Sequence, residues 1–207
     1  MDNQPIQATF FGEGRWLTSF VTPSTLEVKN LYQGLTRGIA NPKNRIVALH
    51  QYVGNQIKYK PFVSATLNVE GKVSHNKDVW LDPSMTIKVG VGNCANKAFL
   101  LASLLRSEYS ANEVYAVLGN LIDAKGKGGH AWVQLAYQDR VYVIESTRGD
   151  VPTFIPIGEV GRYESVHYFN DIQAYHIKDR VIMEPYSASY SPWLKEYLDW
   201  AYIKGNK

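Results

Sequence analysis

The segment CANKAFLLASLLRS, 94–107, keeps apolar side chains on nearly every side of a helix. A surface helix carries one apolar stripe, whereas a helix that is apolar almost all round has to be enclosed by other elements. A chain with such a helix over 93–107 therefore needs packing layers on more than one side of it. The rest of the sequence has to supply them.

Two helices are predicted upstream. Residues 24–39 open with Ser24 and Glu27 in capping-box spacing and continue with Val28, Leu31, Leu35 and Ile39 at helical intervals. The second begins at Asn41-Pro42, a cap residue followed by a proline suited to the first helical position, and carries Ile46, Leu49, Val53 and Ile57 on one face. It gives way to a strand near 57–59. From 60 to 92 the periodicity fades while Pro61, Asn68, Gly71, Asn76 and Pro83 recur, which reads as irregular structure. Connections of that length are commonly functional.

Downstream of the apolar helix come runs rich in Val, Tyr and Ile at 113–118, 130–137 and 141–147, with further strand-like runs at 165–169 and 174–177. Ser191-Pro192 then opens a terminal helix carrying Leu194, Leu198, Ala201 and Tyr202. Helices first and an antiparallel sheet afterwards predict an α+β fold, with the apolar helix as its central element. A chain of 207 residues fits a single domain over 1–207: a core at about 41–150, an N-terminal helical extension over 1–40 and a C-terminal strand and helix extension over 151–207.

Composition narrows the class. A hydrophobic fraction of 45% and an aromatic fraction of 13% supply a core. A single cysteine leaves no internal disulfide, and the start MDNQPIQATFFGEG has neither the basic nor the apolar region of a secretory signal, so a cytoplasmic setting is expected. No stretch approaches the roughly 20 apolar residues that span a bilayer. The net charge of +3, without a run of like charges, does not point to a nucleic-acid partner.

An unpaired cysteine taken alone is most simply a small buried hydrophobe. Cys94, however, stands where the apolar helix begins, and unpaired N–H groups with the positive end of the helix dipole favour a thiolate there. Gly90 and Gly92 just before it leave room for a substrate backbone. The backbone N–H of Cys94 could itself donate to an oxyanion.

A thiol nucleophile also needs a base, and the base needs a group that fixes its tautomer. Of the five histidines, His130 opens a strand directly after the glycine-rich loop KGKGG. His50 lies within a helix, and His75, His167 and His176 lack comparable context, so these four read as surface or hydrogen-bonded core histidines. A hairpin turning at Gln138-Asp139 pairs Tyr137 with Arg140, so partnered positions sum to 277. Trp132 then faces Glu145, and His130 faces Thr147. This makes His130 and Glu145 diagonal neighbours on one face, about 7 Å apart at the backbone. A slip of one residue would send Glu145 to the opposite face. Glu145 is therefore the expected orienting carboxylate, ahead of Asp139 in the turn and Asp150 beyond the strand.

GNCANKAFLLASLLRS, then GGHAWVQL with its histidine 36 positions after the cysteine, then VYVIEST with its acid 15 positions further, resembles the transglutaminase-like superfamily. The resemblance covers about 46–149. It implies a papain-like core in which a cysteine heads the central helix while a histidine and an acid lie on neighbouring antiparallel strands. Cys94 would be the nucleophile, His130 the base and acid, and Glu145 the orienting carboxylate. Trp80 would be a candidate for an additional oxyanion donor. Two positions depart from the usual pattern: Glu145 stands in place of Asp, and Asn96 stands where many relatives carry Asp.

The implied enzyme needs no cofactor and no metal. It would cleave or transfer amide acyl groups of a protein or peptide through a Cys94 thioester, with peptidase or amidase action as the leading expectation. The alternatives are crosslinking of glutamine side chains to amines, or an inactive binding or structural protein on the same fold.

Overall fold

The computed structural model describes residues 7–10, 13–61, 65–69, 72–76, 80–123, 126–157, 163–178 and 181–183. In chain order, a hairpin of β1 (Gln7–Phe10) and β2 (Glu13–Trp16) leads through a short 3-10 helix, Leu17–Phe20, into α1 (Leu26–Thr36) and α2 (Pro42–Gln56). Next come β3 (Lys58–Tyr59), a hairpin of β4 (Ala65–Val69) and β5 (Lys72–Asn76), α3 (Pro83–Val89), β6 (Val91–Gly92) and α4 (Cys94–Arg106). The remainder is strand: β7 (Val114–Asp123), β8 (Gly126–Tyr137), β9 (Arg140–Ile144), β10 (Ile155–Pro156), β11 (Tyr163–Phe169), β12 (Ala174–Lys178) and β13 (Val181–Met183).

Among the described residues, seven strands form one antiparallel sheet in the order β10-β9-β8-β7-β11-β12-β13. The α+β expectation therefore holds. The central helix α4 is buried from Ala95 to Leu105 between this sheet and the α1, α2 and α3 layer. Phe99 on α4 meets Phe169 of β11 at 5.4 Å between ring centroids on one side and Phe20 at 5.3 Å on another. Each fully buried Leu or Phe on this helix contributes about 1.5–3 kcal/mol relative to exposure, which makes α4 the element that organises the core. A second buried cluster, with Tyr115, Val117, Trp132, Val143 and Tyr168, collects on the alternate residues of the same strands.

The hairpin register agrees with expectation: Tyr137 pairs with Arg140 and Val133 with Ile144. Gln138 and Asp139 both adopt positive φ, 49° and 60°, as a two-residue turn with the twist of its strands requires. The helix at Asn41-Pro42 is also as read, with Asn41 Oδ1 accepting from Lys43 N at 2.9 Å.

Several local expectations need correction. The cap of α1 is Thr25, without a side-chain cap bond, and Glu27 instead accepts from Ser84 Oγ at 3.2 Å. The stretch 60–92 is not irregular: it holds the β4–β5 hairpin and α3. Helix α3 has seven residues, too few to establish a periodicity, and is started by Asp82, whose side chain accepts from Met85 N at 2.9 Å ahead of Pro83. The N-terminal extension, expected to be helical, holds the β1–β2 hairpin ahead of α1. Strand β9 ends at Ile144, before Glu145. The helix expected from Ser191 lies outside the described residues.

Candidate active site

Cys94 is the first residue of α4 and is partly buried. The helix starts there because Asn93 takes an extended backbone and its Oδ1 accepts from Asn96 N at 2.9 Å. Asn96 in turn accepts from Leu81 N at 3.1 Å, tying the loop that carries Trp80 to the start of α4. The Trp80 ring stands edge-on to Phe20 at 5.5 Å and to Phe99 at 5.4 Å, contacts that hold it in the core cluster. Behind the cysteine, Gly92 leaves little spare room: a Cβ there would sit 3.0 Å from Asn96 Cβ.

His130 lies on β8 and Glu145 directly follows β9. The structure brings them together, with His130 Nε2 2.8 Å from Glu145 Oε2 and both side chains largely buried, 11% and 8% exposed. The Cys94 side chain is near enough to the same histidine to help raise its pKa. Since Nε2 is committed to the carboxylate, Nδ1 is the nitrogen left for the thiol.

Glu145 has a partner for every acceptor position. Oε1 accepts from Thr147 N at 3.0 Å and Thr147 Oγ1 at 2.6 Å, while Oε2 accepts from His130 and from Tyr163 OH at 2.8 Å. Burial pushes the Glu145 pKa up, but the bonds from His130 and Thr147 outweigh it and hold the carboxyl down at about 2. Burial likewise pushes His130 down, yet its bonds to Cys94 and Glu145 prevail and raise it to about 9. At neutral pH the pair is an imidazolium on a carboxylate.

The backbone carrying Glu145 is itself held from behind. His50 on α2, fully buried, brings Nε2 to Glu145 O at 3.0 Å and Arg148 O at 2.9 Å, and Nδ1 to Thr153 Oγ1 at 2.9 Å. Carbonyls only accept, so Nε2 carries the proton and Nδ1 accepts from the threonine. Burial lowers the His50 pKa and keeps the ring in that neutral form. Lys97, one turn below Cys94 on α4 and fully buried, donates to Ile57 O at 2.8 Å, Gly54 O at 3.1 Å and Thr147 O at 3.3 Å. Desolvation brings its pKa down to about 8.

His50 is thus the hydrogen-bonded core histidine that its place in a helix suggests. His167 and His176 hydrogen-bond to each other at 2.9 Å across β11 and β12. Asp150, the weaker acid candidate, is exposed and pairs with Arg148 at 2.8 Å. Sequence reasoning did not find Lys97, Thr147 or Tyr163. A lysine inside an otherwise apolar helix was a usable signal for the first, because a buried ammonium needs acceptors. Among the described residues, no group of three or more His, Cys, Asp or Glu side chains is placed to hold a metal ion, and no helix is long and apolar enough to cross a membrane.

The family model of the transglutaminase-like superfamily matches residues 29–145. Among solved structures, the chain is similar to EGTA-treated LapG of Legionella pneumophila, at 14% identity and a TM-score of 0.53, covering 83% of this chain and 86% of that one. It is similar also to the calcium-bound form of that protein, at 15% identity and a TM-score of 0.52, covering 87% of each chain. At these identities the likeness concerns the fold. No curated protein matches by sequence.

Proposed function

The chain belongs to the transglutaminase-like superfamily, and from that premise we propose that it is a cysteine hydrolase of amide bonds, acting through a Cys94–His130–Glu145 triad. The observation that carries the proposal is the convergence on His130. Its Nε2 is held 2.8 Å from a buried carboxylate, and the thiol that heads α4 is near enough to help raise its pKa. A substrate class of proteins or peptides accords with a nucleophile that follows Gly90, where a Cβ would meet nothing within 4 Å and a backbone can approach.

In the reaction so assigned, the Cys94 sulfur adds to the amide carbonyl carbon and the carbonyl π electrons move to oxygen. The Cys94 N–H, at the first position of α4, has no acceptor within the helix and is the donor we assign to that oxyanion. Trp80, held by Phe20 and Phe99, is assigned to packing. As the C–N bond breaks, Nδ1–H of His130 delivers its proton to the departing nitrogen, leaving a thioester. Water then attacks, giving a proton back to Nδ1, and the C–S bond breaks to release the acid and the thiolate. Throughout, Glu145 holds Nε2–H and compensates the imidazolium charge.

The test is mass spectrometry of the protein and its Cys94→Ala form after incubation with iodoacetamide, and separately with a peptide library with and without a primary amine. The expected result is rapid alkylation at Cys94 and Cys94-dependent hydrolysis. Amine incorporation in place of hydrolysis makes the protein a transamidase. A Cys94 no more reactive than a free thiol, with no peptide turned over, overturns the assignment and leaves a binding or structural protein.

A further inference from the structure

Glu145 differs from the aspartate usual in this superfamily by one methylene, which adds a rotor between the backbone and the carboxylate. A looser acid would orient His130 less well. The structure contains a group placed to remove that freedom. Tyr163, on β11, donates its hydroxyl to Glu145 Oε2 at 2.8 Å, the same oxygen that faces His130. Its ring lies 4.9 Å from Trp132, edge-on, and 6.2 Å from His130, so the phenol is fixed by packing as well as by its hydrogen bond.

Tyr163 reaches this position from a strand that is not adjacent to the histidine strand, because β7 runs between β11 and β8. Two local features make the reach possible. The β7 residue opposite His130 is Gly119, where a Cβ would lie 2.0 Å from Glu164 O and 2.8 Å from the Trp132 ring. Only glycine admits both neighbours. In addition, the β11–β7 register shifts between Ser165 and His167, and a bulge of this kind re-aims the side chains beside it.

We infer that Tyr163 is a positioning residue of the triad: its hydroxyl fixes the Glu145 carboxylate against His130 and tempers the charge that the histidine feels. The inference rests on the triad assignment above for its effect on turnover, but its effect on His130 is independent of turnover. Tyr163→Phe keeps the ring contacts and removes only the donor. One donor to the carboxylate is then lost, so Oε2 offers His130 more charge and the imidazolium becomes harder to deprotonate.

The experiment has two arms. Ring-nitrogen NMR of His130 during a pH titration, in the Cys94→Ala background with and without Tyr163→Phe, should show the His130 titration moved upward by a few tenths of a unit or more. Steady-state kinetics should show kcat reduced about 10-fold by Tyr163→Phe with KM little changed, as for loss of one hydrogen bond to a charged group. Glu145→Asp withdraws the carboxylate from the phenol, so adding Tyr163→Phe to Glu145→Asp should cost less than about 2-fold more. A His130 titration unmoved by Tyr163→Phe overturns the inference, as does full additivity of the two substitutions. If the parent protein turns nothing over, the triad assignment fails on its own test, and the titration arm still decides what Tyr163 does.

Discussion

Gly54 on α2 and Gly149 after the acid pass so closely that a methyl group on the first would lie 2.3 Å from the backbone nitrogen of the second. That approach seats α2 against the segment 145–149, the same segment whose carbonyls His50 and Lys97 hold.

Gly54→Ala should therefore destabilise the protein by about 1–3 kcal/mol, the usual cost of overpacking where only backbone can yield. Gly34→Ala serves as the contrast: Gly34 lies within α1 with open space around it, and the substitution should stabilise by about 0.5–1 kcal/mol. Urea unfolding of the two variants checks both signs, and a Gly54→Ala protein as stable as the parent would contradict the packing described.

Glu145→Gln keeps the shape of the acid but can present an N–H to His130, favouring the wrong tautomer. The analogous change in serine proteases costs about 10⁴ in rate. A thiol is intrinsically more nucleophilic than a hydroxyl and needs less help from its base, so turnover here should fall on the order of 10- to 1000-fold while the fold persists. Full activity of Glu145→Gln toward a substrate that Cys94→Ala cannot process would remove Glu145 from the site.

The pH dependence of stability follows from the signs of two shifts. His130 is raised from 6.5 to about 9, so its stabilising contribution is complete below pH 6.5 and is lost as pH rises through 9. Glu145 is lowered from 4.5 to about 2, so its contribution is present above pH 4.5 and is lost as pH falls through 2. Unfolding curves at pH 3, 5.5 and 9 should place the largest difference between the parent and Glu145→Gln at pH 5.5. A difference that does not change with pH would argue against the ion pair.

Lys97 has the opposite linkage. Its pKa is lowered from 10.5 to about 8, so the folded state gives up its proton first, and this group alone makes stability rise between pH 8 and 10.5. Lys97→Met removes that rise and leaves the carbonyls of Gly54, Ile57 and Thr147 without their common donor. Unmet buried acceptors should cost about 1–3 kcal/mol at pH 7. A stable Lys97→Met protein with unchanged turnover would reduce Lys97 to a replaceable filler.

The parts of the fold that the sequence made legible are those set by neighbours in the chain. The partnering of Tyr137 with Arg140 follows from turn length and strand alternation, and Asn41-Pro42 marks a helix start through its own backbone chemistry. His130 and Glu145 could be paired for the same reason, since one hairpin relates them. Tyr163 could not, because its place depends on Gly119, on a shifted register and on a strand pairing across β7. Helix α3 escaped notice because seven residues hold too little periodicity, although Asp82-Pro83 carried the same start signal as Asn41-Pro42.

The clamp behind Glu145 bears on when the candidate site is assembled. His50 reaches Glu145 across 95 positions of sequence and Lys97 reaches Thr147 across 50, whereas the hairpin joining His130 to Glu145 is local. Local contacts form early and distant ones late, because loop-closure entropy has to be overcome first. During synthesis or refolding, the β8–β9 hairpin can assemble with its acid still unanchored, and the clamp closes only once α2 and α4 have docked on the sheet. The fold thereby delays assembly of the triad we propose: in a nascent or partly unfolded chain Cys94 stands apart from His130 and Glu145, and the three meet with the last long-range contacts.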